Sequence, residues 1–159
     1  MFLKNAWYVA AWSSEVTHEL QQVRVLGEKI CMYRHRDNTI IALEDACPHR
    51  KLPLSKGRIK DNGLECGYHG LTFNGDGNCV WSPGGGNTPP KAKVHAYPIH
   101  EKYDLIWIWM GDPACANPAE IIDIPNFGNP EWGVNRGAAM ELQGKYLVMC
   151  GNLLDPARG

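Results

Sequence analysis

Four side chains able to bind a metal stand in two closely spaced pairs near the middle of the chain. Cys47 and His49 are one residue apart in "CPHR", and Cys66 and His69 are two residues apart in "CGYHG". A thiolate is a soft anionic donor and an imidazole is a neutral donor of intermediate character, so both suit transition metals. The pattern predicts a metal site made of two thiolates and two imidazoles, with residues 50–65 joining the two pairs.

Two kinds of metal centre use this donor set. A structural zinc site binds one ion, and its sequence usually shows Cys-x2–4-Cys followed by His-x3–5-His, patterns that this sequence lacks. An iron pair can instead hold two thiolates on one iron and two imidazoles on the other, with each sequence pair supplying one ligand to each iron. The spacing favours the iron pair, and a zinc-stabilised interaction module is the alternative.

The bulk composition limits the classes of protein. A chain of 159 residues that is 44% hydrophobic can form one domain with its own core and the beginning of another. Its net charge of −1 gives no general attraction to nucleic acid or to anionic membranes. The apolar run from Ala6 to Trp12 is too short to span a bilayer. We therefore expect a cytoplasmic protein with reduced cysteines and with no nucleic-acid or membrane partner.

Short extended segments separated by turn residues fill the chain as far as residue 110. Turn chemistry predicts hairpins around residues 37–38, 62–63 and 75–77, and a strand pair at 93–101 and 104–111 after the Pro/Gly-rich segment 82–90. A short helix is predicted at residues 13–20, with Ser13 as its N-cap. The fold class is therefore all-β, with antiparallel sheets and two loops that form a metal-binding tip.

The composition changes at Gly111, where Pro, Ala, Asn and Gly become frequent. We predict one domain over residues 1–110 and a linker with the beginning of a second domain over residues 111–159. The apolar run at 146–154 is expected to expose hydrophobic surface unless it packs on the first domain, on another subunit or on residues outside this chain.

The motifs resemble those of a known family. "CPHR" followed by "CGYHG" is similar to the Rieske 2Fe-2S signature, and "NAWYVAAW", "YPIHEKYDLIWIWMGDP" and "NLLD" resemble the N-terminal part of Rieske non-haem iron oxygenases. The resemblance covers essentially the whole chain and is strongest to the vanillate O-demethylase and dicamba monooxygenase branch. It implies that Cys47 and Cys66 bind one iron of a Rieske 2Fe-2S cluster, and that His49 and His69 bind the other.

The resemblance also implies a function. The chain would transfer one electron through the cluster as the electron-entry domain of an aromatic-compound oxygenase of the O-demethylase or hydroxylase type. Its electron donor would be a reductase, a ferredoxin or a flavoprotein, and the full-length protein would be a homotrimer. Residues after the linker would be a short stub of an α+β catalytic domain. A freestanding Rieske-type ferredoxin electron carrier is the alternative function.

The C-terminal residues depart from the family pattern. In these oxygenases a segment like "DNLLDxxHxxxxH" begins the mononuclear iron site, whereas this chain reads "GNLLDPARG". Asp155 matches, but Gly151 replaces an Asp and Arg158 stands at the first His, where a guanidinium cannot act as a neutral nitrogen ligand. We therefore expect a chain truncated before the mononuclear iron site, with no catalytic residues, and Fe(II) only if a further C-terminal domain exists.

Residues beside the ligands predict a low reduction potential. High-potential respiratory Rieske proteins resemble "CTHLGC…CPCHGSxY", in which a second cysteine pair links the loops and Ser and Tyr hydroxyls donate to sulfur atoms. The corresponding residues here are Leu52 and Tyr68 for the cysteines, Leu71 for Ser and Phe73 for Tyr. Fewer hydrogen bonds to sulfur place the potential on the order of −150 mV, near the low end of the Rieske range.

Two further groups of residues carry predictions. Five basic residues between the ligand pairs either steer an acidic electron donor or form a solvated strand face balanced by nearby acids. They are Arg50, Lys51, Lys56, Arg58 and Lys60. Four cysteines lie at no ligand spacing and are predicted to be small buried or half-buried side chains. They are Cys31, Cys79, Cys115 and Cys150.

Overall fold

The computed structural model describes residues 2–84, 92–138, 140 and 142–155. These residues form short strands and a single α-helix, so the all-β prediction is confirmed. The elements are β1 (Ala6–Trp12), β2 (Gln21–Val25), β3 (Glu28–Arg34), β4 (Ile40–Glu44), β5 (Arg58–Lys60), β6 (Gly63–Glu65), β7 (Thr72–Phe73), β8 (Cys79–Trp81), β9 (Ile99–Lys102), β10 (Leu105–Met110) and α1 (Tyr146–Leu153).

The strands form three antiparallel sheets, with the orders β1-β10-β9, β2-β3-β4 and β5-β6-β7-β8. The predicted hairpins are confirmed as the pairs β3–β4, β5–β6, β7–β8 and β9–β10. Strands β1 and β2 were not predicted. Strand β1 is not part of a hairpin, because it pairs with β10, which is distant in the sequence.

Glycine and asparagine make the tight turns possible. Asn38 has φ 68° between β3 and β4, and Gly77 has φ 78° between β7 and β8. Gly63 has φ 141°, and a Cβ on it would lie 2.1 Å from the carbonyl oxygen of Phe73 on the neighbouring strand. Only glycine allows that approach, which holds β6 against β7.

The helix predicted at residues 13–20 is wrong beyond its first turn. Only Ser13–Glu15 form a 3₁₀ turn, and its N-cap is Trp12, whose N–H donates to the Glu15 carboxylate at 3.0 Å. The backbone after this turn is hydrogen-bonded to Arg34, whose Nε donates to the carbonyl of Val16 at 3.1 Å. These tertiary hydrogen bonds replace the ones that would have continued the helix.

Strand β3 lies between two hydrophobic clusters. Cys31 and Tyr33 belong to the first cluster, and Ile30 and Met32 belong to the second. Alternate residues of a strand point to opposite faces, so both faces of β3 are covered. The first cluster also contains Cys47 and Cys66, and the predicted site is therefore built directly on a core.

The chain divides into two compact units, residues 1–124 and 125–159. The first contains all three sheets, and the side chains of Asp112 and Asn117 each accept a backbone N–H to begin a 3₁₀ turn near its end. The second contains α1, none of whose described residues is buried, and Leu147, Val148 and Leu153 are exposed. Arg158 and most of the 82–90 segment lie outside the described residues.

The four cysteines at no ligand spacing differ in burial. Cys31 is buried and Cys79 is half-buried, as predicted, whereas Cys115 and Cys150 are exposed. Cys115 lies in a surface 3₁₀ turn, and Cys150 lies on α1, none of whose residues is buried. No helix within the described ranges has the length and apolar character needed to cross a membrane.

Candidate metal centre

The two predicted ligand pairs lie on two loops that share a hydrogen-bonding pattern. Loop 1 is residues 47–52, which follow β4, and loop 2 is residues 66–71, which join β6 to β7. The backbone N–H of Cys47 donates to the carbonyl of Leu52 at 2.9 Å, and that of Cys66 donates to the carbonyl of Leu71 at 2.8 Å. Each loop is therefore closed across its base by a bond from its own cysteine.

Glycine residues let the chain that leaves loop 1 pack closely against loop 2. A Cβ on Gly67 would lie 2.8 Å from the carbonyl oxygen of Lys56, and a Cβ on Gly57 would lie 2.1 Å from that of Glu65. Real side chains do not approach backbone that closely, so both positions need glycine. The two loops consequently face one another at a fixed backbone separation.

The structure brings the four predicted ligands together around one small cavity between the two loops. The imidazole ring centroids of His49 and His69 are 4.5 Å apart, with the rings tilted by 50°. Cys47 and Cys66 are each only 2% exposed, whereas both histidines are exposed. The sulfur atoms thus lie on the inner side of the cavity and the imidazoles on its outer side.

The Cys47 sulfur lies in a buried but hydrogen-bonded environment. Burial raises the pKa of the Cys47 thiol and the neighbouring Cys66 raises it further, whereas the backbone N–H groups of His49 and Arg50 donate to the sulfur and lower it. Backbone donors of this kind stabilise negative charge on a metal-bound sulfur. Sequence analysis missed these donors because a backbone N–H has no residue-type signature.

The donor set fits a two-iron cluster. Two buried sulfurs on one side and two imidazoles on the other match a centre in which one iron takes thiolates and the other takes imidazoles. Among the residues that the structure describes, no three His, Cys, Asp or Glu side chains are grouped so as to hold one metal ion. The assignment of each ligand to the cluster stays a prediction.

Aromatic and aliphatic side chains complete the site. Tyr68 stacks on the His69 ring, with centroids 3.8 Å apart and an angle of 30° between the planes. Leu71 lines the cavity and Phe73 is fully buried in the first cluster. Neither Leu71 nor Phe73 has a hydroxyl group to donate to a sulfur, as the sequence indicated.

Three of the five basic residues between the ligand pairs lie near acids. Arg58 and Lys60 are 3.1 and 3.5 Å from Glu65, and Lys51 is 3.9 Å from Glu44. The positions of Arg58 and Lys60 favour the balanced strand face over the steering surface. Arg50 lines the cavity itself and is exposed beside His49.

Comparison with known proteins gives the family. The sequence profile of the Rieske [2Fe-2S] domain matches residues 6–98, which contain both ligand loops. The chain is 44% identical, over 98% of its length and 45% of the relative's, to the iron-sulfur subunit of the toluene-4-sulfonate monooxygenase system of Comamonas testosteroni. It is 40% identical to the oxygenase component of dicamba O-demethylase of Stenotrophomonas maltophilia, over 97% of this chain and 45% of that protein.

The structural comparison agrees. A crystal structure of dicamba monooxygenase with non-heme iron and dicamba superposes with a TM-score of 0.76 and 43% identity, covering 81% of this chain and 40% of that one. The chain belongs to the Rieske [2Fe-2S] domain family and resembles the oxygenase components of that family. The family prediction and the 2Fe-2S cofactor are therefore confirmed. The chain spans less than half the length of these curated relatives.

Proposed function

We propose that this chain is the electron-entry part of an aromatic-compound oxygenase and that Cys47, His49, Cys66 and His69 bind its cluster. The observation that carries the proposal is the arrangement of these four side chains around one cavity, with the sulfurs buried and the imidazoles exposed. When bound, a Rieske cluster supplies a centre that accepts and releases one electron.

The residues of the chain have separate roles in this proposal. The buried Cys47 and Cys66 would hold one iron, and backbone N–H groups would stabilise charge on the Cys47 sulfur. His49 and His69 would hold the other iron, and their exposure would leave this side of the cluster open to an electron donor. The imidazole nitrogen that does not bind iron can hold or release a proton when the charge of the site changes.

The electron donor is a reductase, a ferredoxin or a flavoprotein. Support comes from the names of the relatives, which describe an iron-sulfur subunit of a monooxygenase system and an oxygenase component. The exposed Arg50 places positive charge beside the outer side of the cavity, where an acidic donor would be attracted. The homotrimer, the cytoplasmic location and the absence of nucleic-acid and membrane partners stay predictions.

The chemistry of the whole protein is proposed by analogy. One relative is named for toluene-4-sulfonate, an aromatic compound, and this supports an aromatic substrate that undergoes hydroxylation or O-demethylation. Residues 1–110 are then the Rieske domain, and residues 111–159 are the linker and the beginning of a catalytic domain. Mononuclear Fe(II) would be bound by residues outside this chain.

Metal analysis and a reduction assay test the proposal. The purified protein should contain two irons per chain and give a Rieske-type electron paramagnetic resonance (EPR) signal when reduced. Its visible spectrum should bleach on mixing with a reduced ferredoxin or a reduced flavoprotein reductase. Cys47→Ser should lose the signal, whereas the matched variant Cys115→Ser, which changes an exposed cysteine outside the site, should keep it.

Two outcomes would overturn the proposal. A colourless protein that holds one zinc ion would establish the interaction module. A stop codon directly after codon 159 in the source DNA would favour a freestanding electron carrier, whereas a reading frame that continues into two spaced histidines and a carboxylate supports the oxygenase.

A further inference from the structure

A buried carboxylate lies at the base of loop 1. Asp45 is two residues before Cys47 and is only 3% exposed. A carboxylate so far from water is costly unless hydrogen-bond donors surround it. The groups that donate hydrogen bonds to the Asp45 carboxylate therefore indicate its structural role.

The Asp45 carboxylate accepts hydrogen bonds from Ser55 and Gln22. Its Oδ1 accepts the backbone N–H of Ser55 at 2.7 Å, and its Oδ2 accepts the Ser55 hydroxyl at 2.9 Å. The Nε2 of Gln22 also donates to Oδ2. The backbone N–H of Asp45 donates to the carbonyl of Lys29 at 3.0 Å, which fixes the carboxylate to strand β3.

These contacts join the two ends of loop 1. The chain leaves Asp45, passes through loop 1 and returns at Ser55, which lies in the 3₁₀ turn Leu54–Lys56. Leu54 in that turn is fully buried in the same cluster as Cys47 and Cys66. The Asp45 carboxylate thus holds the segment that follows loop 1 by two hydrogen bonds from Ser55.

The 3₁₀ turn Leu54–Lys56 also packs against loop 2. The carbonyl of Lys56, the residue after Ser55, lies so close to Gly67 of loop 2 that a Cβ there would be 2.8 Å away. The next residue, Gly57, makes a similarly close approach to the carbonyl of Glu65. A shift of Ser55 would therefore change the distance between the two loops.

We propose that Asp45 is a positioning residue that sets the separation of the two ligand loops through Ser55. This inference rests on the proposed ligand assignment. The two positions at which respiratory-type proteins place a cysteine pair between the loops carry Leu52 and Tyr68 here, so no covalent link is available there. The Asp45–Ser55 bonds and the glycine contacts provide the constraint instead.

Four variants test the proposal. Asp45→Ala removes all three bonds of the carboxylate, Ser55→Ala removes only the hydroxyl bond, and Ser55→Thr keeps a hydroxyl and should preserve the site. Gln22→Ala is the matched control, because it removes a bond to the same carboxylate without touching the returning chain. The measurements are the rate at which a chelator removes iron from the folded protein and the line width of the EPR signal of the reduced cluster.

We expect iron loss about 10-fold faster in Ser55→Ala and faster still in Asp45→Ala, since residues that support metal ligands have effects of this size. Both variants should broaden the EPR lines, because the loop separation becomes less uniform. Ser55→Thr and Gln22→Ala should match the unaltered protein. If Asp45→Ala does not fold, the comparison of Ser55→Ala with Ser55→Thr still tests whether Asp45 acts through Ser55.

The inference is overturned if Ser55→Ala loses iron at the unaltered rate with unaltered EPR lines, or if Gln22→Ala has the same effect as Ser55→Ala. The second result would mean that Asp45 supports only the general stability of the core. Failure of the ligand assignment is separately visible, because the unaltered protein would then give no Rieske-type signal.

Discussion

Lys51 and Gly70 occupy equivalent positions in the two ligand loops. The backbone N–H of each donates to the carbonyl of the cysteine four residues earlier, Lys51 to Cys47 at 2.8 Å and Gly70 to Cys66 at 3.0 Å. Both residues have positive φ, 56° and 77°. Glycine adopts this conformation without a steric penalty, whereas lysine does not. Loop 1 therefore carries a backbone strain that loop 2 avoids.

Replacing Lys51 by glycine should leave stability unchanged or raise it. Relief of the left-handed conformation is worth about 1 kcal/mol, and the greater freedom of glycine in the unfolded chain offsets part of it. Lys51→Val should lower stability by at least about 1 kcal/mol, because a β-branched residue fits positive φ poorly. Urea unfolding of the iron-loaded variants measures both.

Lys51→Ala is the control for the lost charge. The Lys51–Glu44 pair is 3.9 Å long and solvent-exposed, so its loss alone should have little effect. A clear loss of stability in Lys51→Gly that exceeds the loss in Lys51→Val would show that the positive φ is not strained.

Removal of the Tyr33 hydroxyl should stabilise the protein. Tyr33 is fully buried, and its hydroxyl has no hydrogen-bond partner within the part of the chain that the structure describes. Burial raises the pKa of Tyr33, which stays neutral. Tyr33→Phe relieves an unsatisfied polar group, and thermal unfolding should show a gain of about 1 kcal/mol.

Tyr97→Phe is the matched variant, because the Tyr97 hydroxyl donates to the Glu28 carboxylate at 2.7 Å. Loss of a hydrogen bond to a charged group should cost about 1.5 kcal/mol or more. Equal losses in the two variants would mean that Tyr33 also has a partner for its hydroxyl.

Glu101 should make stability depend on pH at the acid end. The Ser13 hydroxyl donates to its carboxylate and lowers the Glu101 pKa below its ordinary value of 4.5, and burial opposes this while Arg34 adds to it. Because the folded pKa is the lower one, the stabilisation is present above about pH 4.5 and is lost as pH falls through the folded value.

Urea unfolding at several pH values should therefore show that Glu101→Gln is less stable than the unaltered protein near neutral pH. The difference should shrink below the ordinary carboxyl pKa. Ser13→Ala should move the Glu101 pKa upward in an NMR titration. A difference between Glu101→Gln and the unaltered protein that is constant with pH would contradict the assignment.

A hydroxyl placed beside the sulfurs should raise the reduction potential. Leu71 lines the cavity and is 8% exposed, and the sequence predicts a potential on the order of −150 mV because no hydroxyl donates there. Leu71→Ser should have a more positive potential than the unaltered protein in a redox titration followed by EPR. Leu71→Ala is the control, since it makes a similar void without a donor. Equal reduction potentials in Leu71→Ser and Leu71→Ala would show that a hydroxyl at this position does not raise the potential.

The sequence predicted the features that depend on local chemistry. Hairpins followed from turn residues such as Asn38 and Gly77, because positive φ is a property of single residues. The four candidate ligands followed from their residue types and spacing. These features need no knowledge of which distant segments meet.

Features that depend on distant partners could not be predicted. The pairing of β1 with β10 joins segments from the two ends of the first unit, and no local turn indicates it. The donors to the Cys47 sulfur are backbone groups, which every residue has. The extension of the helix beyond Glu15 was predicted wrongly because Arg34 binds the carbonyl of Val16 from a different strand. The bonds from Ser55 to the Asp45 carboxylate join segments on either side of loop 1, and no local sequence pattern indicates them.

Pulsed EPR of the reduced protein, grown with isotopically labelled histidine, tests the central claim most directly. If Cys47, His49, Cys66 and His69 hold a Rieske cluster, the spectrum will show coupling to two histidine nitrogens on a Rieske-type signal. A signal without histidine coupling would mean that the cluster has other ligands, and a colourless protein without a signal would mean that this chain does not carry electrons through iron.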